Sequence, residues 1–158
     1  MTHRRNQPGF SLLQLVVVAA AFLVISAIAI PILLRSKMAV NEAAAVETLR
    51  TVNFACLAYS WKWGTGYPVG LSNLGPAKPA TAAAADLVDS VVAGGAKSGY
   101  AFIYVSSAPA KGKIRTYTIE ADPLVPGKTG RQYFFTDQTG VIRHNSGGPA
   151  NISSPPIS

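Results

Sequence analysis

FSLLQLVVVAAAFLVISAIAIPILL, running from Phe10 to Leu34, is the stretch on which the reading of the whole chain depends. No charged residue occurs between Asn6 and Leu34, while Arg4 and Arg5 stand just upstream. At about 1.5 Å rise per residue, a helix over this stretch spans roughly 37 Å, enough to cross a hydrocarbon core of about 30 Å. Positive charge beside an apolar segment tends to stay cytoplasmic, so the N-terminus is expected inside and the residues after Leu34 outside. Arg35 and Lys37 place charge on the far flank as well and oppose that orientation.

A chain of 158 residues allows one modest domain beyond the apolar stretch. The formal charge of +7 admits an anionic partner, but charged residues are 13% of the chain and the Lys and Arg are scattered. A diffuse excess of this kind argues for solvation rather than a specific nucleic-acid site. Cys56 is the one cysteine, which excludes an internal disulfide and a multi-cysteine zinc site. A lone thiol on an apolar stripe reads as a small buried hydrophobe.

From Arg35 the pattern turns amphipathic. Met38, Ala45, Leu49, Val52, Cys56 and Tyr59 recur at helical spacing on one face, and Lys37, Glu47, Arg50, Thr51 and Lys62 occupy the other. Glu47 and Arg50 are spaced for an i,i+3 pair. Nothing stops a helix before Gly64-Thr65-Gly66-Tyr67-Pro68, so one helix is expected from Phe10 to about Trp63. Phe54 stands on the otherwise polar face, where a contact to a neighbouring subunit is the functional reading and a partly exposed ring the bland one.

Residues 64–99 read as a Gly-, Pro- and Ala-rich loop region with a short helix over Ala82–Ala93, stopped by Gly94-Gly95. Asp86 and Asp89 would then serve its first turn. Strand character follows at Tyr100–Ser106, Arg115–Ala121, Tyr133–Asp137 and Val141–Asn145, with residues 146–158 as a tail. The expectation is an α+β fold, in which a small antiparallel sheet of about four strands packs on the amphipathic half of the long helix.

Gly9-Phe10-Ser11-Leu12, after a short basic leader and opening a long apolar helix, resembles the processing motif of type IV pilins and their relatives. The resemblance extends to Ala29-Ile30-Pro31 and into Arg35–Ala55, about the first third of the chain. It implies residues 1–9 as a leader peptide, cleavage between Gly9 and Phe10, and N-methylation of the new terminal Phe by a membrane peptidase. It further implies storage in the inner membrane and polymerisation, through Phe10–Leu34, into a surface filament for adhesion, motility or DNA uptake. The implied partners are copies of the chain, other pilin-like subunits, the prepilin peptidase/N-methyltransferase, an inner-membrane assembly platform and membrane lipid.

One residue departs from the family pattern. Four positions after the terminal Phe the family usually carries a Glu, thought to pair with the N-terminal ammonium of a neighbouring subunit; here the residue is Gln14. Two unit charges 4 Å apart are worth on the order of 4 kcal/mol at an effective dielectric of 20. Gln14 accepts a hydrogen bond but supplies no compensating charge. Either no neighbour docks at Gln14 or another subunit type supplies the carboxylate, which points toward a minor or tip subunit without removing the major-subunit reading. Pro31 lies within the helical pattern, where it removes a main-chain bond and is expected to kink the helix. Its alternatives are a tolerated membrane proline or local melting on entry into a filament.

Three further readings stay open. A pseudopilin of a secretion system shares the N-terminal features, although the calcium-binding C-terminal pattern expected of a major pseudopilin is not visible. Ser26-Ala27-Ile28-Ala29 would suit signal peptidase and release a small secreted binding module at Ala29, but the apolar run continues past Pro31. An enzyme is the least favoured class. No HExxH, Cys/His cluster, GxSxG or phosphate loop appears, and no cofactor is expected. Lys111, Lys113 and Arg115 form a candidate anion patch on a hairpin, with Lys128, Arg131 and Arg143 expected on strands nearby; a solvated sheet edge guarded by lysines is the plainer account. Asp137 reads as a turn former, with a Ca²⁺ site shared with Asp122 as the sharper alternative.

Overall fold

The structure, a computed structural model, describes residues 11–157; the leader expected over residues 1–9 and the expected cleavage between Gly9 and Phe10 lie outside the described residues. A single helix, α1, runs from Leu12 to Trp63. No glycine interrupts it, and Pro31 is the one proline inside it. It stops at Gly64, whose φ of +67° is open to glycine at no steric cost.

The chain divides into two compact units, residues 1–36 and 37–158. In the first, every residue from 12 to 34 is exposed, and α1 is long and apolar enough here to cross a membrane. The Ser26 hydroxyl donates to the Phe22 carbonyl at 2.8 Å, so this polar group is satisfied within its own helix, as an apolar solvent requires.

The second unit holds the core. Met38, Ala45, Leu49, Val52, Cys56 and Tyr59, the face expected from spacing, are buried, and Thr48 and Ala55 join them. Lys37, Glu47, Arg50, Thr51 and Lys62 are exposed. The Glu47–Arg50 pair forms at 3.6 Å, but with both side chains in solvent it contributes little.

Against that face lies a five-stranded antiparallel sheet in sequence order: β1 (Ala96–Lys97), β2 (Tyr100–Ser106), β3 (Tyr117–Pro123), β4 (Tyr133–Asp137) and β5 (Arg143–Asn145). β2 and β4 have the expected bounds. β3 begins at Tyr117 rather than Arg115, because Ile114 is diverted to the chain leaving α1: its N–H donates to Thr65 and its carbonyl accepts from Tyr67. β5 begins at Arg143 because Val141 belongs to the preceding turn. The two-residue strand β1 is an addition to the four expected. Along β3, Tyr117, Ile119 and Ala121 are buried in the core while Thr118, Glu120 and Asp122, on the other face, are half-buried, the period-2 pattern of a sheet strand.

The helix expected over Ala82–Ala93 is instead one turn, α2 (Ser90–Ala93). The preceding backbone is committed elsewhere: the N–H groups of Ala85, Asp86 and Leu87 donate to Asn73, Gly75 and Leu74, along a 3₁₀ turn at Leu71–Leu74. Asp86 adopts φ +54°, outside helical space, and Asp89 alone caps α2, accepting from the Val92 N–H at 2.8 Å.

Candidate functional site

Two ends of the sheet are clamped to α1 by polar side chains. At one, Asn41 Nδ2 donates to the Thr129 carbonyl at 2.8 Å, and Glu42 Oε1 accepts the main-chain N–H groups of Arg131 and Gln132 at 2.7 and 3.2 Å. At the other, Asn53 donates to Thr136 Oγ1 and accepts from the Tyr117 hydroxyl, both at 3.0 Å. Twelve residues of helix, roughly 18 Å, separate the two clamps, about the length of a five-residue strand. Nothing in the sequence marks Glu42 or Asn53 as clamps, since their partners lie sixty-four to ninety residues away.

Beside the Asn53 clamp, Arg50, Phe54 and Leu57 of α1, with Tyr67, Tyr117 and the turn at Gln138–Gly140, line a groove of about 380 Å³. Phe54, 74% exposed, forms one wall. The groove floor is aromatic: Tyr67 meets Tyr117 edge to face at 4.7 Å, and Tyr104 stacks on Tyr117 at 5.4 Å. Cys56 lies fully buried below, where loss of hydration pushes its thiol up to about 12 against the milder opposing effect of the Tyr104 and Tyr117 hydroxyls. Burial raises both tyrosines as well. A thiol held neutral in this way is inert, as expected of a packing group.

The exposed cations Lys111, Lys113 and Arg115 do share the β2–β3 hairpin. Lys128 and Arg131 do not join them. They lie in the β3–β4 loop at the opposite end of β3, seven residues and some 20 Å away along the strand. Arg143 is committed to the Ser154 carbonyl at 2.9 Å. Asp137 and Asp122 also stand at opposite ends, since Asp137 pairs with Thr118, four residues or roughly 13 Å along β3 from Asp122. Asp137 accepts from the Thr139 main chain at 2.9 Å and so fastens its turn. Asp122 is pushed up from the usual carboxyl range by burial, and its Oδ1 has no hydrogen-bond partner among the described residues. Among those residues no three His, Cys, Asp or Glu side chains converge as a metal site would require.

The candidate functional surfaces are therefore the exposed apolar run of α1, which carries Gln14 and Pro31, and the aromatic groove walled by Phe54. Together they define an α+β protein whose one long N-terminal helix is apolar at its start and packed on an antiparallel sheet at its end. Comparison with protein-family models, with curated proteins and with solved structures gave no match.

Proposed function

We propose that this chain is a structural subunit of a type IV pilin-like filament, processed after Gly9, held in a membrane by residues 10–34 and polymerised through that helix. One observation carries the reading: a single unbroken helix changes role at about Lys37. Before that point all its side chains are exposed and uncharged over residues 12–34; after it, one face is buried in a sheet. An ordinary signal peptide has an apolar core of about 7–15 residues and does not run on as the core helix of the mature protein. Here the helix supplies both an apolar rod for packing with copies of itself and a rigid mount for the sheet. Adhesion, motility and DNA uptake are all compatible uses.

Gln14 favours a second reading within the same class, a minor or tip subunit. It lies on the exposed apolar run, where a carboxylate would otherwise answer a neighbour's ammonium. A secretion pseudopilin shares every feature used here. The deciding measurement is the intact mass of the mature chain. A start at Phe10 bearing one added methyl group supports the proposal; a start at Ile30 sinks it and returns the released binding module.

A further inference from the structure

The sheet has two edges, and they are treated differently. Along β5 the tail is laid down as a cover: His144 N–H donates to Pro155, Ile157 N–H donates to Ile142, and Arg143 bridges Pro156. Along β2 the cover is short, because β1 pairs with Tyr100 and Ala101 alone.

The direction of the remaining β2 groups follows from the register. Ser107 N–H donates to Thr116 across β3, whereas Phe102 N–H donates to Gly95 on the other side. Hydrogen bonding alternates along an antiparallel strand, so Ile103 and Val105 bond toward β3, and Tyr104 and Ser106 present their main-chain groups to the open edge. Among the described residues no backbone partner meets Tyr104 or Ser106 there. Their side chains are held from within, the Tyr104 hydroxyl on the Pro68 carbonyl and the Ser106 hydroxyl on that of Val69, at 2.9 and 3.1 Å. Ile103 and Val105 point outward and are 48% and 58% exposed. Residues 100–107, YAFIYVSS, carry no charge, so the usual guard against edge pairing is missing.

We infer that this edge pairs with the same edge of a second copy, antiparallel about a two-fold axis through Val105. The register is self-complementary. Tyr104 and the partner's Ser106 exchange both N–H···O bonds, the symmetric pair repeats the exchange, and the two Val105 residues face each other as a non-hydrogen-bonded pair with Cα atoms about 4.5 Å apart. The slot has defined ends: β1 closes it before Ile103, and Pro109 turns each chain away after Ser107. An uncharged edge meets its own copy without like-charge repulsion, and Ile103 and Val105 gain apolar cover. The contact uses none of the apolar residues 12–34, and does not depend on the filament reading.

The test is oxidative crosslinking of the full-length chain in detergent, with micelles in excess over protein. Val105→Cys is expected to form a disulfide-linked dimer, since facing Cα atoms about 4.5 Å apart lie within disulfide range. Glu120→Cys, outward-facing on β3, is expected to form none, because the two β3 strands stand about 14 Å apart across the paired edges. Buried Cys56 contributes no background. In sedimentation, Val105→Lys, which sets a cation opposite itself, is expected to lose the dimer. Equal crosslinking at Val105→Cys and Glu120→Cys, a Val105→Lys dimer as abundant as the parent's, or an edge that takes an extended peptide but not its own copy would each overturn the inference.

Discussion

Glu42 on α1 accepts the main-chain N–H of Arg131 at 2.7 Å, joining the helix to the β3–β4 loop across eighty-nine positions of sequence. The same Oε1 takes the Gln132 N–H at 3.2 Å. A carboxylate that answers two main-chain donors is a charge-assisted clamp, worth about 1.5–3 kcal/mol per well-made bond when partly shielded. Glu42→Ala is therefore expected to destabilise the 37–158 unit by about 2 kcal/mol, and Glu42→Gln, which keeps an acceptor, by less. Urea denaturation of the full-length protein in detergent checks the order. A Glu42→Gln variant as stable as the parent would show that the charge plays no part, and equal losses from the two variants would show that a neutral acceptor cannot replace it.

Cys56 gives the fold a pH dependence whose sign follows from its environment. Burial raises the thiol from 9.0 to about 12 in the folded state. The native state then keeps a proton that the unfolded chain releases, so this contribution is fully present below pH 9.0 and is lost as pH rises through about 12. Tyr104 and Tyr117, also raised by burial, act in the same direction at higher pH. Unfolding midpoints are expected to fall between pH 8.5 and 10.5, at up to about 1.4 kcal/mol per pH unit for the thiol alone. Cys56→Val should flatten the first part of that fall. A thiol reagent that labels native Cys56 as fast as the unfolded chain would contradict the burial.

Much of this architecture was legible in the chain. The buried face of α1 was readable because burial on a helix repeats with the helix, and Met38 through Tyr59 keep that period without a break. β2 and β4 were readable because β-branched and aromatic residues run between turn formers. What escaped was decided by partners distant in sequence. Glu42 carried no signal in the sequence because main-chain donors have no side-chain signature. Residues 82–89 looked helical from their alanines, yet bonds to residues 73–75 outweighed that small propensity. Lys128 and Arg131 were grouped with Lys111 because one-dimensional proximity of strands does not say which loops share an end. The groove by Phe54 was half legible: the ring's misplacement on a polar face was visible, but Tyr67 and Tyr117 beside it were not.

Phe54 separates folding from assembly. With 74% of its surface exposed it has little native packing to lose, so Phe54→Ala is expected to shift unfolding by no more than about 0.5 kcal/mol. On the filament reading the ring contacts a neighbour, and the same substitution is expected to reduce incorporation into filaments while membrane levels stay constant. Immunoblots of sheared filaments against membranes measure the two pools. Normal incorporation would leave Phe54 a solvent-exposed ring and the groove without a role in assembly.

Gln14 sets the sharpest electrostatic test. It lies near the start of α1 on a run where every residue from 12 to 34 is exposed and uncharged, so this chain does not cover it, and on the filament reading neighbouring subunits would. An ammonium brought into such a bundle needs a carboxylate; without one it costs several kcal/mol or loses its proton. Gln14→Glu restores the charge at the position where the resemblance expects it. If this subunit sits where a neighbour's N-terminus docks, Gln14→Glu is expected to raise incorporation along the filament shaft. If it sits at a tip, the added carboxylate is buried without a partner, and incorporation is expected to fall. Both outcomes require that Gln14 be enclosed by other subunits. Unchanged incorporation would mean that it is not, and would remove the charge at this position as a determinant of the subunit's place.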